Sequence, residues 1–159
     1  MTQRIPMTQE GYNKIKSELD QLESVEMPKI AEKIGIARSE GDLKENAEYH
    51  SQREAQGLLQ AKINGLRSKL ALATIVDPAK MPRDEVGFGA TVHIVDIELS
   101  ETEIITLVGA GEEDYDSGRY LITSPIGQGL LGKKIGDVAE IAIPKGKIIY
   151  KVIDIRYHF

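Results

Sequence analysis

The chain has 159 residues, of which 41% are hydrophobic, 28% charged and 5% aromatic. This is a globular composition, compatible with one ordinary domain or two small ones, and its core must be mainly aliphatic. The absence of cysteine excludes disulfides and thiolate sites, and the net charge of −5 argues against broad binding to nucleic-acid phosphates. Because the sequence shows no signal peptide and no apolar run of membrane-spanning length, we expect a cytoplasmic protein without membrane contact.

Residues 8–40 are predicted to form one long helix. Apolar residues recur there in steps of three and four, apart from one step of eight between Leu22 and Ile30. Such spacing is typical of the seam of a helix pair, and a step of eight is a stutter that shifts the seam. Pro28 lies inside the stutter and predicts a kink, not an end, because proline removes one backbone hydrogen bond. Thr8 is suited to cap the first turn.

A second helix is predicted from a matching series of apolar residues: Leu59, Ile63, Leu66, Leu70 and Ala73. A short polar stretch separates the two helices, so they should form an antiparallel αα-hairpin. At about 1.5 Å rise per residue the first helix would reach roughly 50 Å. We therefore expect residues 1–76 to form a projecting helical rod.

The remainder of the chain changes to strand-like sequence. Residues 77–86 contain two prolines and no periodicity, which indicates a linker. Residues 87–159 are predicted to form a small domain of about five antiparallel strands and one short helix, so the fold class is α+β. The apolar phase changes after Ile94, which indicates a bulge. The segment 146–157 is apolar on both faces from Ile148 to Ile153 and should be a central strand.

The short helix is predicted to begin at Ser124, a suitable N-cap, followed by Pro125 at the first helical position. The segment from Gly127 to Gly132 matches the pattern G-x-G-x-x-G. A dinucleotide site would need a full helix and a parallel strand after it, and here another strand follows within a few residues. We find no arrangement typical of a catalytic site in residues 87–159.

Two interpretations of Asp42 and Glu45, in the polar stretch SEGDLKENAEYH, are open. Their spacing matches a capping box that starts the second helix. The same spacing places two carboxylates on one side of a helix start, where they could hold a divalent cation or orient a water. Two carboxylates alone make a weak Mg²⁺ site, because the ion expects about six oxygen ligands. Any further ligands would have to come from a partner.

Basic residues lie close to these acids: Arg38, Lys44 and Arg53. They could form a solvated helical face with ion pairs to neighbouring glutamates. These glutamates are Glu40, Glu48 and Glu54. The alternative is a small patch for phosphates, with Tyr49 as a surface on which a base could stack. His50 is left unassigned.

Six segments, in this order, resemble the bacterial Gre transcript-cleavage factors, which are transcription elongation factors, and are closer to the GreA type than to GreB: IPMTQEGYNKIKSELDQL, IARSE, GDLKENAEYH, VDPAKMP, FGATV and SPIGQGLLGKKIGD. The resemblance covers essentially the whole chain. It implies an N-terminal antiparallel coiled-coil hairpin and a C-terminal domain of FKBP-like fold. It also implies a cofactor of RNA polymerase, not an enzyme, whose hairpin enters the secondary channel and stimulates cleavage of backtracked nascent RNA, which rescues arrested complexes.

The resemblance assigns roles to individual residues. Asp42 and Glu45 become the catalytic tip acids, which share an Mg²⁺ ion with the polymerase. The other tip contacts are Leu43, Lys44, Asn46 and Tyr49. Arg38 and Arg53 match a basic patch that faces the nascent RNA 3′ end. The expected docking segment on the polymerase contains Ser124, Pro125, Ile126, Gly127, Leu130, Gly132 and Lys133. We expect the free protein to be a monomer.

Two other functions are compatible with parts of the sequence. The first is a non-catalytic channel binder that occupies the polymerase without stimulating cleavage, and the presence of both tip acids argues against it. The second is a peptidyl-prolyl isomerase, from the FKBP-like half. It is disfavoured because such pockets are lined by aromatic residues, and the second half has only Phe88 and Phe159 as phenylalanines.

Overall fold

The computed structural model describes residues 3–41 and 45–158, which divide into two compact units. We call residue 3 with residues 13–73 the hairpin unit, and residues 4–12 with 74–158 the sheet unit. This division differs from the predicted ranges of 1–76, 77–86 and 87–159. Residues 4–12 and 74–76 belong with the sheet, whereas the prediction left them with the hairpin, and the predicted linker 77–86 is part of the sheet unit.

The first long helix is continuous and contains one widened turn. It consists of Gln9–Gln21 (α1), a π-helical turn at Leu22–Glu26, and Met27–Ser39 (α2). The backbone N–H of Met27 donates to Leu22 O, five residues earlier, as a π turn requires. Pro28 follows directly, as the second residue of α2, and removes one backbone hydrogen bond from the continuous helix next to this widened turn. The prediction that the helix passes through Pro28 is confirmed, and the extra residue of the π turn accounts for the stutter.

The second helix, Ala47–Ala71 (α3), completes an antiparallel hairpin. Near its start Asn46 bonds to Ala37, whereas further along Arg67 pairs with Glu23 at 2.7 Å, so the two partners run in opposite directions. The buried seam contains Ile15, Leu19, Ile34, Ala37, Ile63 and Leu66. All six belong to the predicted three-and-four series, which confirms the hairpin.

A two-stranded sheet joins Ile5–Met7 (β1) to Ala73–Ile75 (β2). The backbone N–H of Val76 donates to Met7 O at 2.9 Å, and Met7 is fully buried. These strands were not predicted, because three residues carry too little alternation to show a period.

The main sheet has five strands in the order β5-β4-β3-β7-β6. The strands are Ala90–Asp96 (β3), Glu101–Val108 (β4), Arg119–Leu121 (β5), Val138–Ile143 (β6) and Gly146–Tyr157 (β7). The prediction of an all-antiparallel sheet is wrong in one place, since β5 pairs parallel with β4. The α+β fold class is confirmed, with a mixed sheet.

A bulge lies where β3 pairs with β7. The pairing runs from His93 with Asp154 to Ile94 with Val152, so Ile153 is the extra residue. The bulge was predicted, but the sequence placed it in β3, where the apolar phase changes. That phase change instead marks the end of β3 at Asp96. β7 is paired on both sides, as expected of an interior strand.

One face of the sheet carries the core together with the short helix Pro125–Leu130 (α4). Ser124 caps α4, because its hydroxyl accepts from the N–H of Gly127 at 3.2 Å. Residues 78–80 of the predicted linker form a short 3₁₀ helix, and Val86 is buried in the core. No helix within the described part of the chain is both long and apolar enough to cross a membrane.

Candidate functional site

The tip of the hairpin is built around Asn46. α3 begins at Ala47, and the side-chain oxygen of Asn46 accepts from the N–H of Tyr49 at 3.0 Å, as an N-cap does. The predicted capping box is therefore wrong for this helix, because Glu45 precedes the N-cap instead of lying three residues after it. Asp42 lies outside the described residues, as do the predicted tip contacts Leu43 and Lys44.

Asn46 also connects the two helices of the hairpin. Its side-chain amide nitrogen donates to the carbonyl oxygen of Ala37, in the last turn of α2. The same carbonyl oxygen also accepts from the backbone N–H of Glu40 at 3.2 Å, so Ala37 O receives one bond from the end of its own helix and one from Asn46. One side chain thus joins the end of α2 to the beginning of α3.

A second connection across the tip joins Arg38 to Tyr49. The guanidinium carbon of Arg38 lies 5.7 Å from the centre of the Tyr49 ring, within the range of a cation–π contact. Tyr49 also meets the ring of His50 edge-on, with centroids 5.6 Å apart. The stacking surface that the sequence suggested for a nucleic-acid base is therefore already shared with an arginine.

Three charged side chains of the tip, Arg38, Glu45 and Arg53, form no ion pair within the described part of the chain. Neither Arg38 nor Arg53 forms an ion pair among those residues, and Arg53 instead donates to Gln56 at 3.2 Å. Ion pairs of these two arginines to the neighbouring glutamates, the first interpretation of this cluster, are not formed. Glu45 is exposed and likewise has no ion-pair partner in residues 3–41 and 45–158. These charges are accessible to a partner.

The described residues do not contain a complete metal site. Across residues 3–41 and 45–158 no group of three or more histidine, aspartate or glutamate side chains could hold an ion. A divalent cation at the tip would therefore need ligands supplied from outside the chain.

The predicted docking segment has exposed and buried members. Pro125 and Gly132 are exposed, whereas Gly127 and Leu130 are buried against the rest of the sheet unit. Ser124 caps α4 and also donates to Leu121 O at 2.6 Å. The buried members shape the segment and do not present side chains to a partner.

Two exposed apolar residues, Leu131 within this segment and Ile135 just after it, were not among the predicted docking residues. Leu131 and Ile135 are 45% and 59% exposed, and Ile126 and Lys133 are half-buried next to them. Alternation could have identified Leu131, because Leu130 and Leu131 cannot both face the core at the end of a short helix. Leu131 and Ile135 thus add exposed apolar area to this part of the sheet unit.

The sheet unit also contains a cavity of about 820 Å³ between the first turn of α1 and the ends of β3 and β4. Phe88 is the one phenylalanine, tyrosine or tryptophan among the described residues that line it. This lining is poorly suited to gripping a prolyl ring, which argues against the isomerase interpretation.

Comparison with known families identifies the class of protein that this fold and site define. A family described as "Transcription elongation factor, N-terminal" matches residues 5–75. A second, "Transcription elongation factor, GreA/GreB, C-term", matches residues 81–157. The two matches cover both units, so the chain is a transcription elongation factor.

Curated relatives define the family more closely. Transcription elongation factor GreA of Thermodesulfovibrio yellowstonii is 45% identical over 157 residues, 99% of each chain. GreA of Psychrobacter arcticus is 44% identical, over 98% of this chain and 99% of the relative. The chain belongs to the GreA/GreB family of transcription elongation factors. The family implies RNA polymerase as the partner and a role as its cofactor, not as an enzyme in itself.

Solved structures show weaker likenesses. GreA factor homolog 1 (Gfh1) of Thermus thermophilus is 22% identical with a TM-score of 0.46, and 97% of this chain and 99% of that chain are covered. The GreA/GreB factor of Nitrosomonas europaea is 21% identical with a TM-score of 0.43, and 97% and 100% are covered. The family assignment stands on the family matches and the sequence relatives.

Proposed function

We propose that the chain inserts its hairpin through the secondary channel of RNA polymerase and stimulates cleavage of backtracked nascent RNA. Arrested complexes would then regain a usable 3′ end. The observation that carries this proposal is the tip, where Glu45, Arg38 and Arg53 are exposed and have no ion-pair partners among the described residues. Side chains that fold the hairpin would pair with one another, whereas these charges remain accessible to metal, water and RNA.

Asp42 and Glu45 are the residues that would hold an Mg²⁺ ion shared with the polymerase. The donor set fits an ion of this kind, because carboxylate oxygens are ligands that Mg²⁺ prefers, and residues 3–41 and 45–158 contain no group of three or more ligands that would bind it alone. When bound, the ion would supply Lewis-acid activation of water and stabilise the charge that develops on the phosphate. The contribution of this chain is to bring two carboxylates to the polymerase active site and to hold them there.

Arg38 and Arg53 would contact phosphates near the displaced RNA 3′ end. Both are exposed cations on the helices that flank the tip, and charge-assisted bonds to phosphate are among the strongest polar contacts that a side chain makes. The Tyr49 ring limits the conformations of Arg38 and so reduces the entropy lost when it binds.

The sheet unit would dock at the rim of the channel through the segment from Ser124 to Lys133. Its exposed members include Pro125, Leu131 and Gly132, which together with the neighbouring Ile135 supply an accessible surface that is partly apolar. The proposal places the free chain in the cytoplasm as a monomer.

The test is RNA cleavage in stalled complexes with the variants Asp42→Asn and Glu45→Gln. Each amide keeps the side-chain size and removes the charge, so the cleavage rate should fall by about a hundredfold or more. Far-UV circular dichroism and competition binding to polymerase should be unchanged. Full cleavage activity in both variants would contradict the proposed role of the tip acids.

A matched control is Glu48→Gln, on the first turn of α3. Glu48 accepts a hydrogen bond from Gln52 at 3.0 Å, and a glutamine there keeps an acceptor oxygen. Its cleavage rate should stay near that of the wild type. Binding to polymerase without any stimulated cleavage by the wild-type chain would instead indicate the non-catalytic channel binder.

A further inference from the structure

Two links cross the tip between the same pair of helices. The first runs from Ala37 O to the Asn46 side chain and on to the N–H of Tyr49. The second runs from Arg38, the neighbour of Ala37, to the ring of Tyr49. Together they form a closed circuit of four residues: Ala37, Arg38, Asn46 and Tyr49. Its effect is to tie the last turn of α2 to the first turn of α3.

Asparagine is chemically suited to the central place in this circuit. Its carbonyl oxygen accepts while its NH₂ group donates, so one planar group serves both helices. Aspartate would keep the acceptor for Tyr49 but would lose the donor and place a negative charge against Ala37 O. Serine would also cap α3, but its hydroxyl is shorter and cannot serve both places at once.

Glu45 lies immediately before Asn46 in the chain. Its backbone is therefore fixed on one side by the residue that joins the helices, whereas its side chain is exposed. Removal of the Ala37 contact would free the start of α3 to shift relative to the end of α2. The carboxylate of Glu45 would shift with it.

We propose that Asn46 is a positioning residue that holds Glu45 in place for transcript cleavage, through its bond to Ala37. This inference rests on the proposed function and adds to it a division of roles within the tip. Glu45 contributes the charge, and Asn46 determines where that charge lies. A misplacement on the order of 1 Å at a reacting centre can cost about a hundredfold in rate, so a single lost bond can have a large effect.

The experiment compares Asn46→Ser and Asn46→Asp with the wild type in stalled backtracked complexes. Both variants keep a side chain that caps α3, so helicity and the concentration of factor needed for half-saturation should be unchanged. The cleavage rate at saturating factor should fall about tenfold in both, which is less than in Glu45→Gln. The Mg²⁺ concentration that gives half-maximal cleavage should rise, since misplaced carboxylates hold the ion less well.

The use of two variants separates geometry from charge. Asn46→Asp adds a carboxylate, whereas Asn46→Ser is neutral, and a common loss of rate points to the missing bond to Ala37. Wild-type rates and Mg²⁺ dependence in both variants would overturn the inference. A loss of helicity or of affinity that accounts for the whole drop in rate would also overturn it, because Asn46 would then serve only folding.

These outcomes are distinct from failure of the proposed function. If Glu45→Gln retains full cleavage while the wild-type chain is active, the role of Glu45 is wrong, and no carboxylate remains for Asn46 to position. If Glu45→Gln is inactive and both Asn46 variants are fully active, only the inference about Asn46 is wrong.

Discussion

The hairpin unit and the sheet unit are stabilised in different ways. Among the described residues, the hairpin buries six side chains along one seam, whereas the core of the sheet unit contains fourteen buried residues. Ion pairs between the hairpin helices, from Lys62 to Glu18 and from Arg67 to Glu23, are exposed and each contribute little. Most side chains on the hairpin surface therefore contribute little to stability, and this surface can carry residues that act on a partner.

The glycines also differ between the two units, although Gly132, Gly136 and Gly146 of the sheet unit are in open space. A Cβ atom added at Gly35, Gly57 or Gly65 of the hairpin would meet nothing within 4 Å. One added at Gly127 of the sheet unit would lie 2.5 Å from Ile122 O. Close packing therefore constrains Gly127 of the sheet unit, whereas Gly35, Gly57 and Gly65 of the hairpin have room for a side chain.

Charged side chains near the start of α1 and near the start of α3 also differ in whether they form ion pairs. Thr8 caps α1 by accepting from the N–H of Gly11 at 3.0 Å, and its hydroxyl donates to Glu112. Glu112 is in turn paired with Arg119 at 3.1 Å, so the charges around this cap are satisfied within the sheet unit. At the hairpin tip, by contrast, the arginines lack such pairs among the described residues. A charge that is paired serves the fold, and one that is left unpaired is accessible to a partner.

The largest effect on stability is expected from Gly127→Ala. The added methyl group would meet two backbone carbonyls that cannot move independently, at 2.5 and 2.7 Å. We expect the free energy of unfolding to fall by about 3 kcal/mol, as for an overpacked core. Urea denaturation followed by far-UV circular dichroism measures this. A loss below about 1 kcal/mol would show that the sheet unit is less rigid than its packing indicates.

A smaller loss is expected from Thr8→Ala, which removes the cap of α1 and the donor to Glu112. The cost should be about 1 to 2 kcal/mol in urea denaturation, because a cap is lost and a half-buried carboxylate loses a partner. Thr8→Ser keeps the hydroxyl and is the matched control. Equal stability of Thr8→Ala and Thr8→Ser would contradict the role of this hydroxyl.

Gly57→Ala should change the free energy of unfolding in the opposite direction and stabilise the chain. Gly57 lies in the middle of α3 in open space, so alanine should raise the free energy of unfolding by about 0.5 to 1 kcal/mol through its better helix propensity. Cleavage activity should not change, since the residue lies away from the tip. Destabilisation by this substitution would show that the hairpin surface is less open than the contrast requires.

The smallest effect on stability at neutral pH is expected from Tyr150→Phe. Its effect should appear at high pH. Burial and the neighbouring carboxylate of Glu103 raise the pKa of Tyr150 to about 12, from 10.0. Because the folded chain then holds this proton more tightly than the unfolded chain, stability is full below about pH 10 and falls between pH 10 and 12. Tyr150→Phe should flatten the fall in thermal melts over this range. An identical pH profile of stability in the wild type and in Tyr150→Phe would contradict the raised pKa of Tyr150.

Much of the fold could be predicted because its signals are local. The three-and-four spacing identified the hairpin seam, and Ser124 with Pro125 located the start of α4. Thr8 was recognised as a cap from its residue type and position alone. By contrast, the parallel pairing of β5 depends on contacts distant in sequence. The extra residue of the bulge, Ile153, lies within a strand apolar on both faces, where no phase change could reveal it.

The tip was harder to predict for a physical reason. Asp42 and Asn46 are both good N-cap residues, and the glutamate after Asp42 matched the spacing of a capping box. The choice between them is decided by the bond from Asn46 to Ala37, nine residues earlier, which no local pattern contains. The cation–π contact between Arg38 and Tyr49 depends on the same cross-hairpin geometry. Site residues could thus be named from the resemblance, but their contacts could not.

The most direct test of the central claim compares Glu45→Gln with Glu48→Gln in one cleavage assay at saturating factor. Both substitutions remove one glutamate charge from the same region of the hairpin, but only Glu45 is proposed to act in the polymerase active site. We expect the cleavage rate with Glu45→Gln to fall to that of polymerase alone, whereas the rate with Glu48→Gln remains near that of the wild type. Equal activity of the two variants would contradict it.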